Sequence, residues 1–302
     1  MSERSKNKRY YLILPAITCL LAVSLLFAGC QKELKGDIGE ISVFAGSASK
    51  PVLEEAAKRF EEKEGIRVVL HFSGSGTVLS QMKMSRQGDL YIPGSPDYMM
   101  KAEEEGLIRK NTEVILAYLV PSIIVSKGNP KGIRGLKDLS KEGIKVAIGN
   151  PQSVCIGLYA VEILKKAGLL QSVGKNIVTF AGSCSKTAAL IPMEAVDAII
   201  GWRVFSKWNP DKTEAIPIEP SKIPRLAYIP AGVSVFSKKV SKATRFIKFL
   251  AGGEGQRIFR KWGYIATSQE AYSFAPNAKI GGEYHLDEDF TLLANLKAET
   301  RK

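Results

Sequence analysis

Residues 40–77 read EISVFAGSASKPVLEEAAKRFEEKEGIRVVLHFSGSGT. EISVFA (40–45) alternates and is rich in β-formers, which predicts a strand. A turn of small residues, Gly46-Ser47-Ala48-Ser49-Lys50, follows. Pro51 suits the first turn of a helix, and apolar residues at 52, 56, 57 and 60 give that helix one buried face. Gly65 ends it, and IRVVLHF (66–72) is a second strand. Ser73-Gly74-Ser75-Gly76-Thr77 is a second small-residue turn, and VLSQMKMSRQG is helical. The grammar repeats once more: DLYIPG, a strand from Asp89, and then the helical SPDYMMKAEEEGL. Strand–turn–helix in series predicts a parallel sheet with crossover helices. Ligands of such sheets sit outside the carboxyl ends of the strands. Both serine-rich turns fall at that edge.

Downstream, VILAYLVPSIIVSKGNP (114–130) reads as two apolar strands running into a Gly/Pro turn. Then come the strands KVAIGNP (145–151), NIVTFAG (176–182) and VDAIIGW (196–202). The helical IGLYAVEILKKAGLL and SCSKTAALIPMEA lie between them. This is a second set of the same grammar and predicts a second lobe over 124–225. LAYIPAGVSVFSK returns to the first lobe, and two helices in KATRFIKFLAGGEGQRIFRKWGY pack there. The first lobe is thus 40–123 plus 226–275. Residues 276–302 are polar and read as a loose tail with a short helix near 290–297.

Upstream, residues 1–10 are polar and basic. Residues 11–28, YLILPAITCLLAVSLLFA, are apolar and uncharged. This pattern predicts a secretory signal over 1–29. The ending Phe27-Ala28-Gly29-Cys30 resembles the bacterial lipobox, which implies a lipid on Cys30 and a polar tether over 30–39. The alternative is an uncleaved span, for which 18 apolar residues are just long enough. The expected place is extracytoplasmic, lipid-anchored at the periplasmic or outer face of the cytoplasmic membrane. The formal net charge is +13. Lys and Arg are scattered among Glu and Asp, with no basic block and no interleaved aromatics, which argues against nucleic acid. A solvated basic surface that suits an anionic membrane is the better reading.

With Cys19 in the signal and Cys30 lipidated, Cys155 and Cys184 remain. Outside the cytoplasm they form either a disulfide or two buried thiols. These two cysteines, with His71 and His285, make no recognisable cation site, and no cofactor is expected. Only two histidines occur, and no nucleophile–His–acid set is present, so no enzyme is expected. Asp89 and Asp97 read as strand-start and helix-start residues.

Four turns carry the site chemistry: Gly46–Ser49, Ser73–Thr77, Gly149–Gly157 and Gly182–Ser185. Each follows a strand and precedes a helix. The first helical turn leaves backbone N–H groups without partners and carries the positive dipole end. Small residues let an anion reach those groups, and Ser or Thr hydroxyls donate as well. Taken singly, each Ser or Thr is more often a helix cap than a ligand. Two such turns on each lobe would surround a tetrahedral oxyanion with neutral donors.

VFAGSASKPVLEEAAKRFEEKEGIRVVLHFSGSGTVLSQM, GDLYIPGSPDYM, KVAIGNPQSVCIGLYAVEIL and EGQRIFRKWGY resemble the periplasmic molybdate/tungstate-binding proteins of ABC transporters over residues 40–268. The resemblance implies an α/β, two-lobed periplasmic-binding-protein fold of type II, with the ligand cleft between lobes. It implies a monomer that closes about a hinge and delivers its anion to a membrane permease. Ser47 and Ser75 match the ligand serines. Ile156 matches a backbone N–H donor, and Ser183 matches the next one, with a one-residue slip to Cys184 open. If Ile156 and Ser183 serve one ligand, Cys155 and Cys184 are neighbours, which is where a disulfide would brace the site. The family's Tyr donor falls at Gly201, followed by Trp202 and Arg203. Either Arg203 or Trp202 then completes the site, or both lie outside the cleft. Sulfate, phosphate or a small organic anion are the alternative ligands, and a membrane-tethered sensor is the alternative role.

Overall fold

EISVFAG folds as β1 (Glu40–Gly46), in parallel register with β2 (Arg67–Ser73) on one side and β3 (Leu90–Ile92) on the other. The computed structural model describes residues 39–286. The expected signal, the lipid site at Cys30 and the helix near 290–297 lie outside the described residues. Among the described residues, no helix is long and apolar enough to cross a membrane.

The first helix, α1 (Lys50–Glu64), carries its Pro in the first turn. It ends at Gly65, whose φ of 65° closes the helix with an N–H to the Glu61 carbonyl. It buries Val52, Leu53, Ala56, Ala57 and Phe60. Phe60 packs on Phe246 and Phe249 at centroid distances of 4.9 and 5.4 Å. A fully buried Phe of this kind contributes about 1.5–3 kcal/mol. Two more crossovers, α2 (Ser75–Ser85) and α3 (Pro96–Glu104), complete the first half of the lobe.

The chain leaves the first sheet after β4 (Val114–Leu119) and enters the second as β5 (Pro121–Ser126). There it forms β6 (Val146–Gly149), α4 (Cys155–Lys166), β7 (Ile177–Ala181), α5 (Cys184–Ala189), β8 (Ala198–Trp202) and β9 (Thr213–Pro217). It returns as β10 (Arg225–Val233), and α6 (Val240–Ala251) and α7 (Gly253–Lys261) follow. With β11 at Lys279–Ile280, the strand orders are β11-β10-β3-β1-β2, with β4 on β10, and β7-β6-β8-β5-β9. Strands within each strand–turn–helix series pair in parallel. β10 runs antiparallel to β3 and β4, and β5 runs antiparallel to β8 and β9.

One expectation changes here. The tail predicted from 276 opens with β11 (Lys279–Ile280), paired to β10, and Gly282 and Tyr284 bond to buried charges below the sheet. A two-residue strand amid polar residues leaves no periodic trace.

Candidate functional site

The ends of β1, β3 and α2 build the first half of the cleft. Ser47 and Ser75 are each 1% exposed. Ser75 Oγ accepts the Gly94 N–H at 3.0 Å, and the Tyr91 hydroxyl donates to the Ser75 carbonyl at 2.9 Å. A Cβ on Gly46 would lie 2.5 Å from Ser75 Oγ and 2.8 Å from the Gly94 nitrogen. Only glycine lets these turns meet.

The second half comes from the turns before α4 and α5. Cys155 and Ile156 start α4 and are fully buried. Their N–H groups lie in the first helical turn, where the helix supplies no acceptor. Ser183 caps α5: its Oγ accepts the Lys186 N–H at 3.2 Å, and its carbonyl accepts the Thr187 hydroxyl at 2.8 Å. The side chain of Ser183 is therefore committed to its own helix.

The halves touch directly. Ser185 N–H donates to Ser47 Oγ at 3.0 Å, and Gly76 N–H donates to the Ser153 carbonyl at 3.0 Å. A Cβ on Gly94 would lie 2.7 Å from Cys155 Sγ and 2.7 Å from the Ala48 Cβ. Gly74, Ser153 and Ser185 thus belong to the cleft as members of the turns the sequence marks, and Gly94 joins them although the sequence did not single it out.

Two readings that the sequence leaves open take definite geometry in the structure. Cys155 and Cys184 are neighbours, but as free thiols with Sγ–Sγ at 3.4 Å, well beyond a disulfide bond of about 2.05 Å. Burial, and then the Cys155 thiol, push the Cys184 pKa well up, whereas the Ile156 N–H and the Trp202 indole N–H pull it down. The position of the expected fifth donor also shifts. A Cβ on Gly201 would meet Phe205, Ile124 and Ile199, so that residue faces the core. The Arg203 guanidinium lies over the Phe274 ring at 5.0 Å. Trp202 is fully buried, edge-on to Tyr159 at 5.0 Å. Its Nε1 faces the Cys184 sulfur outside full hydrogen-bond geometry and has no other partner.

Arg225, at the start of β10, lies beside the site and ties the lobes together. Its Nη1 pairs with Asp97 of α3 at 2.9 Å, and its Nε pairs with Glu162 of α4 at 2.8 Å. Its guanidinium stacks over Tyr159 at 4.5 Å. Burial works against the Arg225 charge, but Tyr159, Asp97 and Glu162 outweigh it and raise its pKa. Burial also raises the Glu162 pKa, and Arg225 only partly offsets this.

A family model for bacterial extracellular solute-binding proteins matches residues 41–265. The chain belongs to that family. This solute-binding protein is 26% identical to the putative ABC transporter substrate-binding lipoprotein YvgL of Bacillus subtilis, a match spanning 86% of this chain and 99% of that one. It is 24% identical to the molybdate-binding protein ModA of Escherichia coli, over 80% of this chain and 94% of that one. Its fold matches the periplasmic molybdate-binding protein of Azotobacter vinelandii with a TM-score of 0.66 at 18% identity, over 76% of this chain and all of that one. The type II periplasmic-binding-protein architecture is therefore that of the solute-binding protein. Its cleft serves recognition and release rather than bond-making.

Proposed function

We propose that this solute-binding protein captures a tetrahedral oxyanion, molybdate or tungstate first, and delivers it to the permease of an ABC transporter. The carrying observation is convergence. Two buried serines, the first-turn N–H groups of α2 and α4, and a buried indole N–H without a full partner meet in one cleft between the lobes. All are neutral donors, so cavity size and donor geometry set selectivity. YvgL and ModA support the transporter and the anion. In this reading Ser47, Ser75, Ile156 and the Ser183–Ser185 turn hold the ligand, Trp202 takes the place of the expected Tyr, and lipid on Cys30 keeps the protein at the membrane face.

Thermal unfolding with molybdate, tungstate, sulfate or phosphate tests it. At a hundred times Kd a ligand adds about 2.7 kcal/mol, and each kcal/mol moves the midpoint roughly 2–4 °C at this size. A rise with molybdate or tungstate is expected. A rise with sulfate or phosphate alone would reassign the anion, and no rise with any of the four would refute the reading. Trp202→Phe keeps an aromatic ring but removes the donor. It should weaken anion binding roughly 5- to 10-fold, the worth of one buried hydrogen bond. Arg203→Ala should leave affinity unchanged; calorimetric titration of both variants separates these outcomes.

A further inference from the structure

Anion capture alone does not call for two thiols in the cleft. Cys155 and Cys184 are 0% and 2% exposed and their sulfurs stand 3.4 Å apart. The pair spans the site. Cys155 Sγ presses against Gly94 of the first lobe, while Cys184 Sγ lies near the Ile156 N–H and the buried Trp202 indole N–H, which both favour its thiolate. These are two donors that the oxyanion reading assigns to the ligand. The sulfur therefore stands where an anion oxygen would have to be.

We infer that Cys155 and Cys184 form a reversible disulfide that gates the anion site, the Cys184 sulfur covering the Ile156 and Trp202 donors when reduced and leaving them to the ligand when oxidised. The inference rests on the oxyanion reading. To bond, the sulfurs must close from 3.4 Å to about 2.05 Å, which draws Cys184 Sγ toward Cys155 and off the two donors. The oxidant is a disulfide, of a small thiol or of a partner protein. Cys155 gives up its proton, and its thiolate attacks one sulfur of the oxidant and expels a thiolate. Cys184 then gives up its proton and displaces the second thiolate from the mixed disulfide. The two leaving thiolates take up the two protons, and the oxidant carries away two electrons as a pair of thiols. Cys155 is assigned the first attack because its sulfur lies at the contact with Gly94 of the first lobe.

The test equilibrates the full chain, free of anion, with oxidised glutathione or with a phosphine reductant. Thiols at Cys155 and Cys184 are counted after denaturation by maleimide labelling and peptide mapping. Affinity for molybdate, tungstate, sulfate and phosphate is measured in both states by calorimetry. The expected result is loss of both thiols on oxidation and binding about 10-fold tighter, equivalent to about 1.4 kcal/mol. Reduction should reverse both changes. The double variant Cys155→Ser/Cys184→Ser should bind equally in the two buffers. Two thiols surviving the oxidant would overturn the gate. So would a disulfide that leaves affinity unchanged, or a redox dependence that persists in the double variant. Failure of all four anions in both states would instead remove the oxyanion reading, and the gate with it.

Discussion

Arg225→Ala is expected to cost about 3–5 kcal/mol of stability, the range found when one partner is removed from a buried ion pair. Arg225 and Asp97 have side chains 5% exposed, and Glu162 is 14% exposed, so solvent screens them little. Without the guanidinium, two carboxylates would face each other under the Tyr159 ring, and the Gly282 carbonyl would lose its donor. Urea or thermal unfolding reads the loss. Acid should partly rescue the variant, because a carboxylate whose folded pKa is raised binds its proton more readily folded than unfolded. Burial already raises Glu162, so stability should recover as pH falls through its raised pKa toward the ordinary carboxylate value. Arg225→Lys keeps a charge but loses the fork that reaches Asp97 and Glu162 at once, and should fall between. A parent-like unfolding curve for Arg225→Ala would mean that the trio contributes nothing net to the fold.

That trio marks the limit of what the sequence shows. Asp97, Glu162 and Arg225 sit on three elements far apart in the chain, and no local period connects them. The strand–turn–helix series was legible because each element repeats its period over several residues. Ser47 and Ser75 were legible because they sit in turns between such elements. Which residue of β8 turns its side chain toward Cys184 was not, for a reason of register. Side chains alternate along a strand, so a shift of one residue reverses the face. In β8, Gly201 opposes Ser122 and Trp202 opposes Pro121. Gly201 points into the core, and its neighbour carries the indole toward Cys184. Counting along VDAIIGW leaves that choice open, and only the packing of Phe205 and Ile124 on one side decides it. The nearness of Cys155 to Cys184 followed from the resemblance, but their state as free thiols did not.

Gly74→Ala should abolish tight anion binding while leaving the fold intact. Gly74 has φ −62° and ψ 147°, a backbone conformation that alanine adopts without strain. A Cβ there would lie 2.5 Å from the Ser153 carbonyl oxygen and 3.0 Å from the Gly182 carbonyl oxygen, both backbone atoms of the second lobe. Neither neighbour can rotate away as a side chain would. The clash therefore exists only while the lobes are together, and the variant should relieve it by staying open. Opening would break the Gly76–Ser153 and Ser185–Ser47 hydrogen bonds and leave the anion with the donors of one lobe. An expected loss of about 100-fold corresponds to about 2.8 kcal/mol. Stability of the anion-free protein should hold or rise by about 0.4–1 kcal/mol, since alanine restricts the unfolded chain more than glycine does. Calorimetry for affinity, unfolding for stability and small-angle scattering for the separation of the lobes distinguish the outcomes. Parent-like affinity with a compact scattering profile would mean that the turn around Gly74 yields, so that contact between the lobes there does not control the site. Lost affinity with parent-like stability would place the cost in closure itself, because the atoms nearest the added methyl group belong to the opposite lobe.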